Sequence, residues 1–154
     1  ANAIRVIVEK REQVSGSDYR GYSLFLYKGK LSLQLAGGNY ANYVSSLPVP
    51  ADGLWHFVAV TVDRNSVGRF CLGQGTEGSF TIQTETFEPA KVAGSLDNSR
   101  PLRIGSLTLG GPTQLFKGSI DEVELFNRAL AGYEIESLVS AGRYGKCKPC
   151  FFCQ

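Results

Sequence analysis

Apolar and polar residues alternate along most of this chain, the spacing that turns one face of a β-strand towards a core and the other towards water. The clearest example lies between Tyr22 and Gly37. Leu24 and Leu26 alternate with Ser23, Phe25 and Tyr27, then Leu31, Leu33 and Leu35 alternate with Ser32 and Gln34. Lys28-Gly29 separates the two runs, so they predict an antiparallel hairpin. A first strand is predicted over Ala3 to Arg11, followed by a polar loop, QVSGSD. The stretch GGNYANY, from Gly37 to Tyr43, is too rich in glycine and asparagine to read as a strand.

The segment LWHFVAVTVDRN is the most apolar, with Trp55, Phe57 and Ala59 on one face and His56, Val58, Val60 and Val62 on the other. Apolar residues on both faces predict a central strand covered from two sides. Asp63-Arg64-Asn65 predicts a turn into GRFCLG, and SFTIQTETF predicts another strand. AGSLDNSRP reads as a loop, PLRIGSL as a short strand, TLGGPTQ as a loop and SIDEVELF as the last strand. From Gly132 to Ala141 the period changes: Ile135, Leu138 and Val139 fall at i, i+3 and i+4, and Gly142 can close a helix. Its cap position is weak, because Ala131 stands where Ser or Thr is favoured. The whole predicts an all-β fold: an antiparallel β-sandwich of about nine strands with one short C-terminal helix packed against its edge.

The last predicted strand contains a contradiction. Asp121 shares a face with Val123 and Leu125, while Ile120, Glu122, Glu124 and Phe126 take the other. A carboxylate on an apolar face needs either an ion or hydrogen-bond donors.

Composition narrows the possibilities. The chain has 154 residues, 43% hydrophobic and 19% charged, enough for one globular domain. Sixteen Lys and Arg against 14 Asp and Glu leave a net charge of +2, too little for an electrostatic grip on nucleic acid. The apolar runs are too short to span a bilayer, so no membrane insertion is expected. There is no methionine and no signal-like opening, so the expectation is a removed leader or a domain drawn from a longer protein.

Three segments in order, DGLWHFVAVTVDRN, PLRIGS and FKGSIDEVELFNRALAGYEIESLVSAG, carry a family likeness. Over about residues 3 to 143 the chain resembles the laminin G-like branch of the concanavalin A-like lectin/glucanase sandwiches, with pentraxins as more distant relatives. The resemblance implies a jelly roll and a non-catalytic recognition module, secreted or at the cell surface as part of a larger protein. It implies carbohydrate or a glycosylated surface protein as partner. The domain expected is 1–143, followed by a cysteine-containing tail, 144–154. Family members usually begin with strands absent here. The unpaired edge this leaves predicts, as the alternative function, a structural domain that assembles through strand edges into a homodimer without a small ligand.

Candidate site residues follow. The aromatic and amide side chains Asn39, Tyr40, Asn42 and Tyr43 supply the chemistries that recognise sugars, with Arg100 and Arg103 as donors to acidic ones. In relatives, an aspartate placed like Asp121 can bind calcium; the alternative for Asp121 is backbone donors. No other cofactor is expected. Glu122 and Glu124 are about 7 Å apart, within the roughly 5 to 10 Å of a glycosidase pair, but neighbours on one strand face cannot flank a sugar from opposite sides. No catalytic residue is therefore assigned. His56, the single histidine, lacks a nucleophile partner and reads as structural. In an extracellular module Cys71, Cys147, Cys150 and Cys153 are expected in disulfides, with three connectivities open; reduced thiols and a four-sulfur metal site are the alternatives.

Overall fold

The computed structural model of the chain describes residues 4–76, 79–107 and 114–141. Among these residues two antiparallel sheets form. The larger contains β1 (Ile4–Ser15), β2 (Asp18–Tyr27), β3 (Lys30–Pro48) and β7 (Arg103–Ile104), in the order β3-β2-β1-β7. The smaller contains β4 (Phe57–Val62), β5 (Gly68–Thr76) and β6 (Ser79–Phe87), with β5 in the middle. One helix, α1 (Gly132–Ala141), follows them. The expected two-layer antiparallel architecture with a short C-terminal helix is what the chain adopts, with seven strands rather than nine among the described residues.

The β2–β3 hairpin pairs Leu24 with Leu33 and Ser23 with Gln34, so each strand's leucines share the inner face. β3 continues through GGNYANY, the segment judged too rich in glycine and asparagine to be a strand. Its 19 residues would reach about 60 Å if straight, yet Val49 N donates to Gly29 O at 2.9 Å. β3 therefore doubles back near Gly38, whose φ of +89° suits glycine. Gly37-Gly38 is the turn within a second hairpin, and Tyr43 and Leu47 from its return arm enter the core. In β1 the pairing register slips between Val6 and Val8. A bulge of this kind lets Ile7 and Val8 both face the main core, while Val6 turns outwards to Phe25 and Leu107.

The main core lies between the sheets, where Leu31, Leu33, Phe70 and Leu72 are almost fully buried. Phe87 stacks on Tyr43 at 4.5 Å and on Phe70 at 4.8 Å between ring centroids, tying the two layers together.

Several expectations are corrected. Among the described residues β4 is an edge strand, paired with β5 alone. Both its faces are apolar because one meets the core while Phe57 and Ala59 meet a second cluster with Cys71, Leu130 and Ile135. That cluster also places α1 over the outer face of the small sheet, not against its edge. Cys71, expected in a disulfide, is a free thiol buried beneath α1; burial pushes its pKa up. Cys147, Cys150 and Cys153 lie outside the described residues.

A further correction concerns SIDEVELF, which forms no strand. Ile120 packs against the main core, but from Asp121 to Arg128 every residue is exposed, including Leu125 at 57% and Phe126 at 50%. Glu122 has φ +50°, which breaks the extended path that alternation requires. Strand formation also needs a neighbour to take the backbone N–H and C=O groups, and among the described residues no strand pairs with this segment. The opening contradiction disappears with the strand: Asp121 is in water and its Oδ1 accepts the Glu122 amide at 2.8 Å.

Candidate functional site

The outer face of the larger sheet carries the richest set of side chains. Period-2 geometry puts Glu9 and Arg11 of β1, Tyr19, Ser23 and Phe25 of β2, and Gln34 of β3 on this face. The return arm of β3 adds Tyr40, Asn42 and Val44, alternating with the buried Tyr43 and Ser45. Register makes them neighbours: Glu9 pairs with Ser23, and Ser23 with Gln34.

A chain of polar contacts crosses the strands. Arg11 Nε lies 3.4 Å from Glu9 Oε1, and Arg11 Nη1 donates to Gln34 Oε1. Gln34 Nε2 in turn donates to Asn42 Oδ1 at 2.7 Å. Glu9 is fully buried, and a buried carboxylate requires such a partner. Arg11 also lies 5.8 Å from the centre of the Tyr19 ring, and Tyr19 meets Tyr40 edge-to-face at 5.6 Å. The guanidinium is thus neutralised and fixed, and it holds Gln34 in turn. Beside this network is a groove of about 350 Å³, lined by Ser23, Phe25, Tyr27, Gln34, Asn42 and Val44, among others. Amides and a hydroxyl set beside aromatic and aliphatic faces can bind a ligand that is hydroxyl-rich on its rim and apolar on its flat side.

The candidate residues named from sequence separate here. Tyr40 and Asn42 meet on this face, with Tyr40 half exposed. Asn39 turns away and donates to Lys91 O at 3.2 Å. Tyr43 is in the core, its hydroxyl donating to Pro89 O at 3.2 Å and its pKa raised by burial. Arg100 lies 3.6 Å from Glu12, and its carbonyl accepts Lys10 Nζ at 2.5 Å. Arg103 is exposed on β7, across from Glu9. Arg11, Tyr19, Ser23 and Gln34 were missed, although the alternation in β2 and β3 already placed Ser23 and Gln34 opposite the leucines.

The loop before β4 forms a smaller polar unit. Asp52 Oδ1 accepts from Leu54 N at 3.0 Å and lies 2.8 Å from His56 Nε2. The His56 hydrogen bond, above all, lowers the Asp52 pKa. This is a local brace for the loop, in keeping with a structural histidine. Among the described residues no three His, Cys, Asp or Glu side chains group closely enough to hold a metal ion, and no helix is long and apolar enough to cross a membrane.

Two facing antiparallel sheets with a polar, aromatic outer face define the class of lectin-like β-sandwiches. A laminin G-like family model, described as the concanavalin A-like lectin/glucanases superfamily, matches residues 2–136, and the chain belongs to that family. No curated protein and no solved structure matched it.

Proposed function

We propose that this chain is a non-catalytic extracellular recognition module that binds carbohydrate, or the glycan of a surface glycoprotein, on the outer face of its larger sheet. The observation that carries the reading is the Gln34–Asn42 amide pair, held by Arg11 and set between the Tyr19–Tyr40 rings and the groove. Fixed amides lose little freedom on binding, and recognition gains from that preorganisation. The described groove lining offers hydrogen-bond donors and acceptors but no facing carboxylates, which supports binding over glycoside hydrolysis. Neutralisation of Arg11 by Glu9 favours uncharged sugars over acidic ones.

A glycan array, run with and without calcium, tests the proposal. Wild-type protein should bind a set of neutral glycans, and Asn42→Ala should lose most of that signal. A blank array under both conditions would remove the carbohydrate reading. Dependence on calcium would add a role for the Asp121 carboxylate, exposed and held against the Glu122 amide.

A further inference from the structure

Two rows of side chains cross the outer face of the larger sheet side by side. Strand pairing lines up Glu9, Ser23 and Gln34 in the first, and the Gln34–Asn42 bond carries it onto the return arm of β3. The pairing of Val6 with Phe25 begins the second, and Val44, two residues beyond Asn42, continues it on the same face. One row is polar and the other apolar, about 7 Å apart along the strands. Both contribute to the groove of about 350 Å³.

Ser23 stands out in the polar row. It is only 3% exposed yet lines the groove, and among the described residues no hydrogen bond engages its hydroxyl. A buried hydroxyl in that position is costly until something bonds to it. Asn42 Oδ1 is taken by Gln34 Nε2, which leaves the Asn42 amide nitrogen to donate elsewhere. Beyond Ser23, the rim of the apolar row is open to contact, with Tyr27 36% and Val44 47% exposed.

We propose, resting on the carbohydrate reading above, that this groove selects 2-acetamido sugars over the parent hexoses. An acetamido arm joins a carbonyl acceptor directly to a methyl group. The carbonyl can accept from Ser23 Oγ while the methyl rests against Phe25, Tyr27 and Val44, and one hydrogen bond plus one van der Waals contact span the gap between the rows. The ring hydroxyls then meet Asn42. A plain hexose reaches the polar row but turns a hydroxyl towards the apolar one, where it loses water without gaining a partner. A free amino sugar fares worse, because its ammonium finds no carboxylate in the described lining.

A glycan array with matched ligands ending in an N-acetylhexosamine, the parent hexose or the free amine, in gluco and galacto series, tests the selection. The acetylated member should bind at least about tenfold more tightly than its parent, the effect of one hydrogen bond and one buried methyl together. Ser23→Ala and Val44→Ser should each cut that ratio about threefold or more; Val44 is exposed enough for its variant to fold. Equal binding of acetylated and parent sugars, or a ratio unchanged in both variants, would overturn the acetamido selection and leave the carbohydrate reading standing. A blank array would remove both.

Discussion

Arg128 grips Glu134 with both guanidinium nitrogens, Nη1 to Oε2 at 2.7 Å and Nη2 to Oε1 at 2.6 Å. Glu134 Oε2 also accepts the Ala131 amide at 2.9 Å. This is half of a capping box: the acid at the third helical position reaches back to the cap backbone, so a cap residue without a side-chain acceptor is tolerated. The negative charge also suits the positive end of the helix dipole. One glutamate thus compensates for the alanine at the start of α1 and ties the helix to the approaching chain.

Acid should loosen α1 before it unfolds the sandwich. The Arg128 hydrogen bond, followed by the Ala131 amide, lowers the Glu134 pKa from 4.5 to about 2. A carboxylate with a depressed folded-state pKa contributes stability that is fully present above its unfolded value and lost as pH falls through the folded one. The helical signal and the protection of Leu130 and Ile135 should therefore decline between about pH 4.5 and pH 2. In Glu134→Gln this part of the pH dependence should flatten. Circular dichroism and exchange measured across that range check it.

Gly21 and Gly38 both have positive φ, +115° and +89°, but their substitutions should differ sharply. A Cβ at Gly21 would lie 1.9 Å from Lys10 O and 2.7 Å from Asn98 Nδ2, whereas one at Gly38 meets nothing within 4 Å. Asn98 Nδ2 bonds to Lys10 O and Arg20 O, both at 3.3 Å, clasping the loop to β1 and β2. Gly38→Ala should cost about 1–2 kcal/mol, the strain of its conformation alone. Gly21→Ala adds a backbone collision on top of that strain and should cost roughly 3 kcal/mol or more. Chemical denaturation of both variants measures the difference.

The strands that could be read directly share one property: their alternation coincides with a partner strand close in sequence. The hairpin at Lys28-Gly29 and the turn at Asp63 to Asn65 satisfy this, and the helix declares itself by its period. Where pattern and partner separate, the reading fails. SIDEVELF alternates well but pairs with no strand among the described residues, and alternation says nothing about backbone partners. GGNYANY looks too flexible, yet it is held by the arm of β3 that precedes it. Tyr40 and Asn42 were legible as sugar-binding chemistry, but Arg11 was not, because its significance depends on a β1 register that brings it to Gln34.

Phe70 and Cys71 are adjacent on β5 and face opposite layers, so their variants should report on different parts of the fold. Phe70→Ala opens a cavity between the sheets at a residue 1% exposed and should lose about 3–5 kcal/mol. Cys71→Ser puts a hydroxyl under α1 and should lose about 1–3 kcal/mol if it finds no partner. With the thiol buried and its pKa raised, alkylation of Cys71 should be slow in native protein and should accelerate when α1 is loosened. Site-resolved mass spectrometry of reduced, alkylated protein follows this directly.

Binding and stability should separate on the two faces of β3. Gln34→Ala breaks the link between Arg11 and Asn42 on the outer face without opening the core, so glycan affinity should fall about tenfold or more while the melting temperature changes by only a few degrees. Surface substitutions outside packed sites usually stay within about 0.5 kcal/mol, although Gln34 is half-buried and its lost hydrogen bonds add to that. Tyr43→Phe is the opposite case. It removes the bond to Pro89 O at 3.2 Å from the inner face, costing about 1 kcal/mol of stability, and should leave glycan affinity unchanged. Calorimetric melting and titration with the strongest array ligand measure the two effects together. If both variants lose affinity in proportion to stability, the outer face acts only through the fold; if Gln34→Ala alone loses it, the ligand lies on the amides.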